Sequence, residues 1–208
     1  AGTGQDTVYG GDGNDLMIGS VDGNQDQYYG ESGVDILSYS NEQRDLNFGT
    51  FYATNGNGNT FNLFGETEYY YYVEGLIGGQ GNDSVTLGNN WSGYVDGYSG
   101  NDTIVATGGS DTLLGGTGND SIDGAGGNDS ISGGSGNDTL IAGGGVDTMD
   151  GGACNDQLRV STTTFFRLDG GTGVDSLEMT AAMTVDFRTL SDDVVRSIEV
   201  LKLGQGIR

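Results

Sequence analysis

The sequence predicts an all-β fold, a right-handed parallel β-roll in which the chain winds as one continuous solenoid. Three observations carry this. Asp102, Asp111, Asp120, Asp129, Asp138, Asp147 and Asp156 are spaced by nine residues without a slip. Around each the chain reads roughly Gly-Gly-x-Gly-x-Asp-x-U-x, with U large and apolar, as in GGTGNDSID at 115–123 and GGSGNDTLI at 133–141. The residue two after each in-frame aspartate is apolar or aromatic in every copy, from Val8, Met17 and Tyr28 through Ile104, Leu113 and Ile122 to Leu158 and Leu177. A glycine-rich hexapeptide makes a turn, and the next three residues make a strand with one face turned inward. Two nonapeptides close one coil of about 18 residues, and coils stack at about 4.8 Å. A flexible Gly/Asp-rich linker would show no such phase.

The segments follow in order. Residues 1–38 form a first nonapeptide block with Asp6, Asp15, Asp26 and Asp35 in frame; Asp6 pairs with Asp26 and Asp15 with Asp35, each 20 residues on. Residues 39–77 lack the ladder, yet a structureless loop of that length does not suit a compact domain. An internal comparison gives them a form. Gly33-Val34-Asp35-Ile36-Leu37 matches Gly173-Val174-Asp175-Ser176-Leu177, Asp45-Leu46-Asn47-Phe48 resembles Thr184-Val185-Asp186-Phe187, and Val73-Glu74-Gly75 resembles Ile198-Glu199-Val200. A longer module thus occurs twice, and both copies are expected to continue the solenoid as broader coils. Residues 78–160 are the main ladder, entered at GGQGND, with Asp83 placed 19 residues before Asp102. Residues 161–208 are C-terminal coils, with Asp175 placed 19 after Asp156; the ladder does not resume in the final GQGIR.

The frame also predicts a cofactor. Calcium is a hard cation that takes six to eight oxygens. The candidate ligands are the thirteen aspartates Asp6, Asp15, Asp26, Asp35, Asp83, Asp102, Asp111, Asp120, Asp129, Asp138, Asp147, Asp156 and Asp175. With them go the turn carbonyls around Gly11, Gly13, Gly79, Gly81, Gly100, Gly116, Gly118, Gly127, Gly134, Gly136, Gly145, Gly171 and Gly173. Sites are expected between turns one coil apart. Asp83, Asp102, Asp120, Asp138, Asp156 and Asp175 line one edge; Asp111, Asp129 and Asp147 line the other. Counting adjacent pairs gives roughly nine ions.

Composition agrees. With 7 basic and 30 acidic residues the formal charge is −23, and no Lys or Arg lies between Asp45 and Leu158. Nothing here would neutralise phosphates, so a nucleic-acid role is excluded. Without calcium the acidic edges repel, and the chain is expected to be largely unfolded. No stretch approaches the roughly 20 apolar residues of a membrane span. The single Cys154 rules out an internal disulfide framework. The chain has no histidine, hence no His-dependent zinc protease motif and no Ser-His-Asp triad, and it has no GxSxG elbow. Paired carboxylates can act on sugars, but nearly every aspartate is already accounted for as a metal ligand, so no enzyme is expected. Extracellular modules bind calcium at about 10⁻⁴–10⁻³ M, which places the chain outside the cell.

These residues resemble the RTX (repeats in toxin) family of secreted bacterial proteins, the longer module being similar to segments of large adhesins and surface proteins. The resemblance implies a calcium β-roll and type I secretion of the parent protein; LKLGQGIR does not look like the C-terminal signal of that route, and AGTGQDTVYG opens inside a repeat, so an excised piece of a longer protein is expected. RTX modules accompany many activities. The expected role is a calcium-binding structural module of a secreted bacterial surface protein, such as an adhesin stalk, surface layer or extracellular fibre. The alternatives are the folding and secretion module of an RTX enzyme or toxin, or an ice- or glycan-binding module.

Four further features have two readings each. The run Tyr69–Tyr72 reads as cross-coil stacking or as a sugar or protein contact face. The Ser99-x-Asn101, Thr117-x-Asn119 and Ser135-x-Asn137 series, with Asn155 next, reads as turn structure or as an ice-binding array. Cys154 stands where the frame expects glycine and reads as a tolerated substitution or as an intermolecular disulfide. Arg159, Arg167, Arg188, Arg196, Lys202 and Arg208 form a solvated surface or meet an acidic neighbour, and head-to-tail association between copies, or with further repeats of the parent, is one expected use.

Overall fold

The computed structural model describes residues 2–51, 59–63, 66–88, 92–161, 165–180 and 194–203. Among these there is no helix, and hence none long and apolar enough to cross a membrane. The first strands are β1 (Thr7–Asp12), β2 (Leu16–Ile18), β3 (Gln27–Ser32), β4 (Ile36–Ser38), β5 (Asn47–Phe51), β6 (Asn59–Leu63) and β7 (Glu66–Tyr71). There follow β8 (Gly75–Ile77), β9 (Ser84–Leu87), β10 (Tyr94–Asp96), β11 (Thr103–Val105), β12 (Thr112–Thr117), β13 (Ser121–Asp123) and β14 (Ser130–Ser135). The last are β15 (Thr139–Ile141), β16 (Asp147–Ala153), β17 (Gln157–Val160), β18 (Phe165–Asp169), β19 (Ser176–Met179), β20 (Val195–Arg196) and β21 (Val200–Leu203).

Outside β5–β7, successive strands alternate between faces, as a β-solenoid requires. One face is a nine-stranded sheet in the order β2-β4-β8-β10-β12-β14-β16-β18-β20. The opposite face is an eight-stranded sheet, β5-β9-β11-β13-β15-β17-β19-β21, together with a four-stranded sheet, β1-β3-β7-β6. All pairs are parallel except β6 with β7. Along the main ladder the registers are residue for residue, with shifts only where β5 pairs with β9 and β16 with β18. Ile104 faces Ile122, Ile122 faces Leu140, and Leu140 faces Leu158. On the other face Leu113, Ile131 and Met149 align likewise.

The aligned residues are the position two after each aspartate, and they are buried. One inward side chain per short strand makes two facing ladders that fill the interior. Each is worth about 1.5–3 kcal/mol on removal from water, but so narrow a core leaves little surplus over chain entropy.

Residues 39–77 are built differently. They supply β5 and β8, which join the parallel sheets, and between these an antiparallel β6–β7 hairpin that lies beside β5. The interior widens here, for the largest fully buried side chains are Tyr28, Tyr39, Tyr70, Phe48 and Phe51. Phe51 stacks on Tyr70 with ring centroids 4.9 Å apart, and Tyr39 packs on Phe48 at 5.5 Å. Antiparallel pairing was no part of the sequence expectation. In the second copy of the module, Thr184-Val185-Asp186-Phe187 and the final GQGIR lie outside the described residues.

Candidate metal centre

Two glycines explain the turn. At Gly118 φ is +130°, and an added Cβ would run into the Gly100 carbonyl one coil away. Only glycine takes this backbone without strain and allows this approach. At Gly124 an added Cβ would stand 2.8 Å from Asp129 Oδ2 and 2.8 Å from the Ala142 carbonyl oxygen. The missing side chain therefore opens a pocket between a carboxylate oxygen and a carbonyl of the next coil. Gly151 repeats it, 2.6 Å from Asp156 Oδ2 and 2.5 Å from the Gly170 carbonyl oxygen.

The aspartates form hydrogen-bonded columns. The backbone N–H of Asp102 donates to Asp120 Oδ1 at 2.7 Å, that of Asp120 to Asp138 at 2.8 Å, and that of Asp138 to Asp156 at 2.8 Å. Asp83 donates to Asp102, and Asp156 to Asp175, at 2.7 Å. The second edge has Asp111 donating to Asp129 and Asp129 to Asp147, each at 2.9 Å. Asp6 donates to Asp26 at 2.9 Å and Asp15 to Asp35 at 2.8 Å. Each accepting aspartate thus spends one carboxylate oxygen on the backbone of the coil beside it.

The other oxygen is not spent. Oδ2 of Asp15, Asp35, Asp102, Asp111, Asp120, Asp129, Asp138, Asp147, Asp156 and Asp175 is buried with no hydrogen-bond partner. Burial raises the carboxyls of Asp83, Asp129, Asp138 and Asp156 from an ordinary 3.8 to about 6 and that of Asp102 to about 7. A buried anionic oxygen without a partner is costly, and no lysine or arginine lies in this stretch to answer it. Among the described residues no three carboxylate or thiolate side chains converge on one point. The side-chain donors are one aspartate per turn, and the remaining donors are main-chain carbonyls. An all-oxygen set rich in neutral carbonyls suits a large hard cation of flexible geometry, not zinc and not a small octahedral ion.

The model of the RTX calcium-binding nonapeptide repeat (4 copies) matches residues 1–25, 96–131 and 123–158. These are RTX repeats. No curated protein matches the chain. RTX repeats bind calcium, are structural elements and not catalytic ones, and are typical of secreted bacterial proteins. The columns continue beyond the matched residues, through Asp83 at one end and Asp175 at the other.

Not every predicted position is alike. Asp26 Oδ2 accepts from the Tyr28 hydroxyl at 3.2 Å, Asp83 Oδ2 accepts from the Gly79 N–H, and the half-exposed Asp6 accepts from the Gly2 N–H. The predicted Gly11, Gly13, Gly100, Gly116, Gly118, Gly127, Gly134, Gly136, Gly145, Gly171 and Gly173 have positive φ; Gly79 and Gly81 are not in that group. Sequence reasoning missed the first glycine of the turn, the one that opens the pocket; Ala106 and Ala142 stand at that place before Asp111 and Asp147. It also kept Asp15 and Asp35 apart from the Asp111 edge. Strand order β2-β4-β8-β10-β12 puts all of these on one edge of one sheet. Leu46 and Gly93 occupy the aspartate place in their coils, donating to Asp83 Oδ1 and Asp111 Oδ1, each at 2.7 Å. Glu68, Glu74 and Glu199 occupy it in theirs, accepting from the N–H of Asp26, Asp35 and Asp175.

The other sequence features find places. Tyr71 stacks on Tyr29 at 4.5 Å and Tyr29 on Tyr9 at 5.0 Å, which is the cross-coil reading. The asparagine series forms a column running opposite to the aspartates. Asn101 Oδ1 accepts from the N–H of Asn119, Asn119 from Asn137, and Asn137 from Asn155, at 2.7–3.0 Å. Cys154 is exposed, with φ +86° at a turn's fourth position. Arg159 pairs with Glu178 at 2.8 Å, and Arg167 and Arg196 both pair with Asp169. Arg188 and Arg208 lie outside the described residues.

Proposed function

We propose that this chain is a calcium-loaded structural module of a secreted bacterial surface protein, an adhesin stalk, surface layer or extracellular fibre, and that it folds outside the cell as calcium fills its turns. In-frame aspartates supply Oδ2, and the carbonyls of turn glycines, Gly100, Gly116, Gly118, Gly134 and Gly136 among them, supply neutral oxygens. Roughly nine ions would fill the gaps counted from the sequence. The single observation behind the reading is the column of buried Oδ2 atoms without partners in successive coils. A divalent ion in each gap would remove that penalty and link two coils at once, so binding and folding would be one process.

The test is circular dichroism beside a calcium count. The chain is expected to be coil-like in chelator and β-rich in millimolar calcium, with magnesium much weaker because it demands a smaller octahedral shell. Equal β content with and without calcium, or no bound calcium in the folded chain, removes the reading.

A further inference from the structure

Asp35 and Asp175 each lie one coil from a turn that is not a nonapeptide. In the regular turn the acid comes five residues after the first carbonyl, as Asp120 follows Gly115; here Glu74 follows Tyr72, and Glu199 follows Ser197, by two. The two short turns share a backbone. Tyr72 and Ser197 have φ of +54° and +51°. Glu74 N–H and Gly75 N–H both donate to the Asp35 carbonyl, at 2.9 and 3.0 Å, and Glu199 N–H and Val200 N–H both donate to the Asp175 carbonyl, at 3.1 and 3.0 Å. In return Glu74 Oε2 accepts from Asp35 N–H at 2.9 Å and Glu199 Oε2 from Asp175 N–H at 2.8 Å. Each glutamate is therefore clamped beside an aspartate.

The aspartates of these pairs are 0 % exposed, and Oδ2 of each has no hydrogen-bond partner. Both Oδ2 atoms aim at the gap under the short turn. A Cβ added at Gly30 would meet Asp35 Oδ2 at 2.5 Å and run into the Tyr72 carbonyl; one added at Gly170 would meet Asp175 Oδ2 at 2.8 Å and run into the Ser197 carbonyl. Each gap thus brings together a buried unpaired carboxylate oxygen and an inward main-chain carbonyl, and a second carboxylate is bonded beside it to the N–H of the same aspartate. The Asp26–Glu68 pair has the same backbone bond, at 3.2 Å, but Asp26 Oδ2 is met by the Tyr28 hydroxyl. There a hydroxyl meets the oxygen that in the other two pairs has no hydrogen-bond partner.

We propose that Asp35–Glu74 and Asp175–Glu199 are two mixed aspartate–glutamate calcium sites, each closed by a short turn whose longer side chain replaces a nonapeptide. They let the columns hold calcium where the glycine frame stops. The inference rests on the calcium reading above and adds ligands to it. Glutamine keeps the acceptor for the aspartate N–H and removes the charge, so Glu74→Gln/Glu199→Gln is the informative variant, with Glu68→Gln as the control. Calcium per chain is counted by native mass spectrometry in millimolar calcium. The double variant is expected to lose about two ions and Glu68→Gln none. Should the double variant not fold, Glu199→Gln alone, on an exposed turn, is expected to lose about one. An unchanged count in the double variant, or in the single one where only that folds, overturns the proposal and leaves the nonapeptide reading standing. A wild-type chain that binds no calcium overturns both.

Discussion

At the scale of one residue, the buried aspartate sets the chemistry. Its Oδ1 holds the neighbouring coil and its Oδ2 faces a gap. Burial raises Asp83, Asp129, Asp138 and Asp156 to about 6 and Asp102 to about 7, against 3.8 ordinarily. A folded value above the unfolded one means the folded chain holds extra protons between the two. That contribution is fully present below about 3.8 and is lost as pH rises through 6 to 7. Calcium-free chain is therefore expected to be more structured near pH 4.5 than at pH 8, while calcium-loaded chain shows the reverse order; thermal melts at both pH values, with and without calcium, read this directly. Cys154 makes a second case. Its φ of +86° sits at a place where the regular turns have glycine. A side chain in the left-handed region costs about 1–2 kcal/mol. Cys154→Gly is expected to stabilise the calcium form by about 1 kcal/mol, seen as a Tm rise of about 2–4 °C; a lower Tm would show that the thiol contributes something the φ angle does not reveal.

At the scale of the turn and strand, position in a column decides cost. Asp138 accepts from Asp120 N–H and donates to Asp156, both at 2.8 Å, so two gaps depend on it. Asp6 is half-exposed, and the carboxylate its N–H meets, that of Asp26, is already met by Tyr28. Asp138→Ala strands a buried N–H, worth about 1–3 kcal/mol, besides losing a ligand to both gaps. It is expected to raise the calcium midpoint of folding more than Asp6→Ala, and the reverse order in a titration would contradict the stacking. These columns were legible because a parallel coil repeats its side-chain environment, so one aspartate and one apolar residue recur at fixed distance. The rest was not legible for the same reason. Glu74 lies 39 residues from Asp35 and Glu199 lies 24 from Asp175, so no fixed count finds them. The β6–β7 hairpin has antiparallel partners that a parallel repeat does not imply. The pocket-opening glycine looks in sequence like any other turn glycine; only the coil above it shows what a side chain there would strike.

At the scale of the whole molecule, two long parallel faces enclose a core one side chain deep on each side. The basic residues near β17 to β20 bond to acids of their own chain, so attraction between copies would not come chiefly from charge. It would come from sheet edges. Among the described residues β2 and β21 are edge strands, and Leu16 on the first and Leu201 and Leu203 on the second are exposed, although Leu201 and Leu203 continue the register of Leu177 and Met179. Open edges of parallel sheets pair with further strands. Pure chain in millimolar calcium is expected to associate end to end as concentration rises and to dissociate in chelator. Sedimentation velocity reads it, and a monomer at every concentration removes the expectation.

The one-to-one register between coils also makes the molecule a ruler with a fixed division. Asp120 meets Asp138, and Ile122 meets Leu140, across a step of 18 residues. Excision of one such step from the main ladder would return every inward side chain and every ligand to its column. Excision of half a step would bring one face's strand against the other's. Heritable change in reach therefore comes in whole divisions of about 4.8 Å, and a lineage could lengthen or shorten this rod without redesigning any surface it presents.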